Sequence, residues 1–487
     1  MTQKNSGFEI KAEQRQSWLS IAMVWAGGMI CVPCLMIGGV LVSGGLSFGQ
    51  IIASILLGYG MICAYMIFIG MQACDTGLPV SVMASGALGE KGARYIISTI
   101  LAIACIGWFG IQSGVCGSAF ASLGANMLGY ESASPTAVTI CSLVWGAIML
   151  LTACLGFKGL KWLNYIAVPA LVVVCLYGII ASMVQNDGVA MLTAYNPPVS
   201  SGLVFGMSMV VASFALGGLI SADYCRFAKN RGDVVKSSIV GVIPAGLFML
   251  LTGGVMSIVT GQYDISIILS DLGVPFFGLL ALVFATWTTN VTNAYSGGLA
   301  LSNLLGFDES KFKITTGIAG GVGTLLAAFG LLSRFEAFLS LMSALLPPLA
   351  GVIIANYWIV SKGCREAFKV QDGVSASGLI AYLVGAFVAC LTGGTFASFS
   401  FLAWLNVPFF VGPVNGIIVS LIVTFLFFQF GVLHNWFHAA IGLLLVGVIA
   451  FLFTTVAANA IAIVGTNPVS GMTLMTLILS SLVLVSI

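Results

Sequence analysis

The chain has 487 residues, 59% of them hydrophobic and 7% charged, with a net charge of +2 and a mean hydropathy of +1.11. Soluble domains carry about a quarter of their residues charged, so these figures exclude a water-soluble globule, and so even a charge balance gives no footprint for nucleic acid. The apolar runs are continuous rather than alternating, which favours an all-α integral membrane protein over a barrel, with room for about a dozen spans of about 20 residues.

Residues 1–17 are polar for too long to form a cleaved leader and read as a cytoplasmic tail. Spans are expected at 18–43, 50–72, 94–124, 137–157, 162–184, 202–225, 237–260, 275–304, 314–332, 335–360, 376–396 and 409–430, followed by apolar stretches at 436–456 and 459–487. With the N-terminus inside, this order places every basic residue except Arg334 on the cytoplasmic side, the asymmetry expected of a multi-pass protein of the inner (plasma) membrane. No acid falls at the expected bilayer centre, where proton relays and charged-substrate sites usually carry one. The substrate implied is neutral, and any driving cation would be held by neutral oxygens. Asp223, three residues before Arg226, is expected to pair with it at the end of the sixth span.

The first span contains "VWAGGMICVPC", with Gly27, Gly28 and Pro33 at mid-length, and the sixth contains "VASFALGGLISADYCRF", with Gly217 and Gly218. Paired glycines weaken a helix and proline removes a hydrogen bond. Interruptions five spans apart suggest a unit of five helices repeated with inverted topology, with a substrate and ion site between the broken helices. The twelve cysteines lie along apolar segments. "CVPC" (Cys31, Cys34) has CxxC spacing, but it has no basic neighbour and no histidine nearby in sequence, so it reads as packing rather than redox or metal chemistry.

The third span carries "GWFGIQSG", in which Trp108 and Gln112 are one turn apart and face the same way. An indole face beside a primary amide suits a flat, polar, uncharged heterocycle, and Phe214, before the break in the sixth span, could form the opposite wall. The eighth span holds "ATWTTNVTNAYSGG", which crowds Thr286, Thr288, Thr289, Asn290, Thr292, Asn293, Tyr295 and Ser296 into an oily stretch. On a helix Ala285, Thr288, Thr289, Thr292, Asn293 and Ser296 share one face, with Asn290 off that stripe. One threonine alone would be read as bonding back to its own helix. So dense a polar run favours a site. The Thr288 and Thr289 hydroxyls, the Ala285 carbonyl freed by a loosened turn, and the carbonyls of Gly28 and Cys31 could together surround a hard monovalent cation.

The motifs "GWFGIQSG", "GGLISADYCRFAKN", "WTTN…YSGGLALSNL" and "LPPLAGVIIANYW", in that order across about residues 18–430, resemble the purine/cytosine permease group of the nucleobase–cation symporter-1 family. The resemblance implies a five-plus-five inverted-repeat transporter fold with two additional helices: a ten-helix core at 18–360 and two further helices at 361–430. It implies cation-coupled import of a nucleobase or related neutral heterocycle (cytosine, a purine, allantoin or hydantoin) by alternating access, with Na⁺ or H⁺ as coupling ion, no cofactor and no catalytic residues. Carried over to this chain, Trp108, Gln112, Phe214, Gly217, Gly218, Asn290 and Asn293 would bind substrate. Gly28, Cys31, Ala285, Thr288 and Thr289 would form a sodium-type cation site. Gln112, Leu216 and Asn356 depart from the pattern of the cytosine-transporting members, so the resemblance does not fix the ring.

The tail, 431–487, resembles a piece of the oligopeptide transporter family, notably in "GTNPVSGMTLMTLIL", and reads as a fused or truncated segment. It raises an oligopeptide or metal-chelate carrier as the alternative function. A channel would want a filter-like loop or a charged ring, and a membrane enzyme would want an acid, base, nucleophile or metal at depth. Neither is present in the sequence pattern.

Overall fold

A computed structural model describes residues 10, 12–155, 160–262, 268, 275–307, 311–398 and 400–429. The chain is helical in each of the twelve expected regions, and the tail from residue 430 onward lies outside the described residues. Span one is two helices, Trp18–Met29 and Val32–Ser43; spans two to five are Phe48–Thr76, Ser98–Met127, Pro135–Leu155 and Leu160–Gln185. Span six is Gly202–Leu219, and the short helix Ser221–Cys225 follows it. Spans seven to ten are Arg231–Thr260, Pro275–Leu305, Phe312–Ala328 and Phe335–Ile354, and spans eleven and twelve are Ala376–Thr392 and Gly412–Gln429. Among the described residues, seven helices are long and apolar enough to cross a membrane, or eight with the bent pair of span one taken as a single crossing.

The packing order reveals an internal repeat. Span two packs on span six as span seven packs on span one. The pair three–four is matched by eight–nine, three–nine by eight–four, five–eight by ten–three, and five–seven by ten–two. Adding five to each number maps this set of neighbours onto itself. An odd number of crossings per unit makes the second unit enter the bilayer from the opposite side, so the repeat is inverted. Spans eleven and twelve pack on each other and on span ten, outside the repeat.

Span one bends by 58° between its halves. Pro33 has no N–H to give to the Met29 carbonyl, and its ring would collide with that carbonyl in a continuous helix. Met29 O takes the Cys31 N–H instead (2.9 Å), and Cys31, extended at φ −143°, becomes the N-cap of the second half. Pro33 then sits in a first turn where no N–H is required. Span six deforms differently from expectation. Gly217 and Gly218 are helical, and the non-helical residue is Phe214 (φ −129°, ψ 16°). The Ser213 hydroxyl donates to Val210 O at 2.6 Å, a local bond that competes with the helix ladder just before the kink. The two glycines serve close approach instead: a Cβ on Gly217 would strike the Phe214 ring, and one on Gly218 the Tyr65 ring.

Span seven braces the second half of span one through backbone-to-backbone contact. A Cβ on Gly253 would meet the Leu35 carbonyl, and one on Gly38 the Leu250 carbonyl and the Gly254 nitrogen. At the end of the bundle where span one begins, Asp75 of span two receives Arg231 of span seven (2.6 Å) and the Tyr357 hydroxyl from the end of span ten (2.8 Å). Arg15 lies beneath the same end and donates to Cys74 O and Arg226 O, 3.4 Å each.

Gly253→Ala is therefore expected to lower the melting temperature of the purified protein by the equivalent of about 1–3 kcal/mol. Gly49→Ala, where an added Cβ meets nothing within 4 Å, should leave it nearly unchanged. Equal melting of the two variants would contradict the contact.

Candidate functional site

Trp108 lies in the middle of span three, and its indole is buried. It stands edge-on to Phe338 (5.2 Å between ring centroids) and Phe335 (6.1 Å) of span ten. One turn on, Gln112 is 2% exposed, and its Oε1 has no hydrogen-bond partner among the described residues. A buried amide oxygen left in that state costs about 1–3 kcal/mol, which makes it the most conspicuous unfilled acceptor on this face of span three.

Phe214 projects from the kink of span six and meets Trp25 of span one edge-to-face at 6.2 Å, while Trp25 in turn meets Tyr224 at 5.0 Å. The two expected ring walls thus belong to separate aromatic groups, Trp108 with span ten and Phe214 with span one. Gly27 and Gly28 border open space, since an added Cβ on either would meet nothing within 4 Å.

Span eight is one helix from Pro275 to Leu305, so no loosened turn frees the Ala285 carbonyl. The Thr289 hydroxyl donates to that carbonyl at 3.1 Å, which leaves the hydroxyl's lone pairs turned outward. The Thr288 side chain lies outside the described residues. Asn290 is fully buried, and its Nδ2 reaches Phe109 O and Ser113 Oγ (3.1 Å each) and Met149 Sδ (3.2 Å). Its amide is thereby engaged with the residues next to Trp108 and Gln112, fixing span eight against spans three and four. Asn293, half-buried, donates to Asn290 Oδ1 at 3.4 Å. Of the expected polar stripe, Thr292 is exposed, whereas Thr286 and Asn290, which lie off it, are fully buried.

The second half of span one, Val32–Ser43, touches span eight. The diverted Cys31 N–H leaves Gly27 O without its donor four residues on, and among the described residues no loop or cap N–H reaches the Gly28 carbonyl. The Cys31 carbonyl receives the Cys34 N–H at 3.2 Å and keeps one lone pair. The site residues are therefore presented in two groups. Trp108, Gln112, Asn290, Asn293 and Thr289 lie on spans three and eight, and Gly28, Cys31, Phe214, Gly217 and Gly218 lie on spans one and six. Sequence reasoning missed the span-ten phenyls, and it missed Trp25, whose position three residues before Gly28 was the available signal.

A concavity of about 580 Å³ opens at the far end of the bundle between Ser43 of span one, Gly45 beyond it, Tyr195–Val199 and Gly261. Tyr195 and Asn196 give it one aromatic ring and one amide of its own.

Asp223, beyond the end of span six, departs from its expected pairing. Its carboxylate accepts the Val80 N–H at 2.9 Å, at the start of the helix Val80–Leu88. Burial pushes its carboxyl above the usual value, while the Val80 bond and the Arg226 charge oppose the shift. A raised carboxyl pKa stabilises the fold below the unfolded value, and that contribution is lost as pH rises through the folded one.

The comparisons with known proteins converge. A family described as permease for cytosine/purines, uracil, thiamine and allantoin matches residues 9–415. Cytosine permease of Escherichia coli (strain K12) is 29% identical over 295 residues, covering 60% of this chain and 66% of that protein, just under two thirds of its length. Hydantoin permease of Microbacterium maritypicum is 24% identical over 398 residues, covering 77% of this chain and 78% of that protein. The solved inward-facing conformation of Mhp1 superposes with a TM-score of 0.71 at 19% identity, over 84% of this chain and 90% of that one, and carries the likeness of fold. The family match ends at residue 415 and so lends no support to the oligopeptide-transporter likeness of the tail.

Asp223→Asn, which keeps an acceptor for Val80 without the buried charge, should melt above the parent at neutral pH. The gap should close as the pH falls towards the ordinary carboxyl range. A gap independent of pH would contradict this account of the carboxyl.

Proposed function

Because the chain belongs to the family of permeases for cytosine/purines, uracil, thiamine and allantoin, we propose that it is a cation-coupled symporter importing a small, flat, uncharged heterocycle of the nucleobase or hydantoin class. The observation that carries the reading is the Gln112 Oε1, buried beside Trp108 without a partner. A ring bearing an N–H, laid against the indole, would satisfy that acceptor, and the ring's own carbonyl would meet the remaining polar edge. Phe214 on the opposite group of helices would cover the free face once the two groups close, with Gly217 leaving room for its phenyl ring. Asn290 would act as a positioning residue through Phe109 and Ser113, and Asn293 would lie closer to the ring.

The coupling ion in this reading is sodium. The Gly28 and Cys31 carbonyls at the break and the Thr288 and Thr289 hydroxyls are neutral oxygens of the kind a hard cation takes, and the Ala285 carbonyl, held by the Thr289 hydroxyl, would join them only once that bond opens. An ion bridging the break in span one to span eight would favour the arrangement that binds the ring, a coupling of about 1–3 kcal/mol. Closure over the loaded site would then precede opening to the other side. The distribution of basic residues supports insertion in the plasma membrane with the N-terminus in the cytoplasm.

A thermal-shift screen of the purified protein against purines, pyrimidines and hydantoins, with and without sodium, tests this. A true substrate at a hundred times its Kd should stabilise by about 2.7 kcal/mol, and more strongly with sodium. Trp108→Ala should abolish the shift from the ring. Thr289→Ala should remove the sodium dependence and keep a weaker ring shift. No shift from any ring would overturn the substrate class, and an undiminished sodium effect in Thr289→Ala would overturn the ion site.

A further inference from the structure

The hinge of span one carries a feature that substrate and ion binding leave unused. Cys31 is the N-cap of the second half of the span, Cys34 lies in its first turn, and their Sγ atoms are 3.4 Å apart. All twelve cysteines are free thiols, and among the described residues no other two are in hydrogen-bond contact. The fully buried Tyr59 of span two lies beside Cys34, and its hydroxyl is 3.3 Å from Ser213 Oγ, immediately before the Phe214 kink. Both sulfurs are shielded from the protein surface, with residue exposures of 7% and 4%, but the adjacent turn at Gly27 and Gly28 borders open space. An oxidant suited to the pair is accordingly a small one.

We infer that Cys31 and Cys34 are a redox modification site: a reversible disulfide that a peroxide forms across the bend of span one and that stiffens it. The chemistry closes with hydrogen peroxide as oxidant. The Cys31 thiolate attacks one peroxide oxygen, an S–O bond forms as the O–O bond breaks, and the departing hydroxide takes up the thiol proton as water. Cys34 sulfur then attacks the sulfenic sulfur, the S–S bond forms as the S–O bond breaks, and the second hydroxide leaves as water with the Cys34 proton. Two thiols and one peroxide thus give a disulfide and two waters, and a dithiol reductant reverses the change. Bond formation brings the sulfurs from 3.4 Å to about 2 Å, which ties the N-cap of the second half to its own first turn and fixes the backbone at Cys31. The inference rests on the fold and not on the identity of substrate or ion.

The test uses the full chain purified in detergent and treated with hydrogen peroxide. Remaining thiols are blocked with N-ethylmaleimide, and the peptide containing residues 31 and 34 is read by mass. The expected peptide has lost two hydrogen atoms, carries no maleimide on either cysteine, and regains both labels after dithiothreitol. Both cysteines still labelled, or oxidised to sulfinic acids, would overturn the inference. In parallel, hydrogen–deuterium exchange of the amides at 28–34 should slow by about tenfold on oxidation in the parent and stay unchanged in Cys34→Ser. Equal slowing in that variant, or no slowing in the parent, would refute the stiffening.

Discussion

The bend at Ile30–Cys31 is the constraint from which the rest of the arrangement follows. A helix interrupted within a bilayer exposes backbone groups that lipid cannot satisfy, at a cost of several kcal/mol for each group. Such a break survives only inside protein or beside a polar cavity. The first condition is met for the second half of span one, whose residues Val32–Leu41 are buried. Span seven presses its backbone against the second half of span one through Gly253 and Gly38, and span eight also touches that half. The carbonyls of Gly27 and Gly28, deprived of helical donors, are what the break provides: oxygens held at depth without a charged side chain.

The two repeats solve the same problem in different ways. In span one, proline makes continuation impossible and the halves part by 58°. In span six, the helix continues through Phe214, deformed by a serine that bonds back to its own turn, and gives way only at Ile220. The sharper break therefore lies where cation ligands are proposed, and the gentler one positions an aromatic ring. Tyr59 of span two lies between them, reaching Ser213 on one side and Cys34 on the other.

Much of this was legible from residue order. Pro33 and the paired glycines announced the break in span one because their effect is local and covalent. The polar run of span eight stood out because nothing else in so apolar a chain resembles it. What the sequence hid was relational. Gly217 and Gly218 looked like helix breakers, yet they are spaces for the rings of Phe214 and Tyr65, a distinction that depends on what packs against them. Asn290 looked marginal on a helical wheel and proved to be the best-connected amide of its span, because its partners come from spans three and four. Asp223 had an obvious partner three residues away, and it instead caps a helix whose start, Val80, lies far off in sequence. The Cys31–Cys34 contact was not legible in the CxxC spacing alone, since it follows from the backbone turn that the break creates.

The central claim is that a polar chamber at the level of these breaks holds an uncharged ring between the helix group bearing Trp108 and the group bearing Phe214. Locating a brominated pyrimidine or hydantoin by its anomalous scattering in crystals grown with sodium tests it most directly. The account requires a bromine peak within van der Waals reach of Trp108 and on the Gln112 side of span three. A peak in the cleft beside Tyr195 and Gly261, with none at the level of the span-one break, would contradict it.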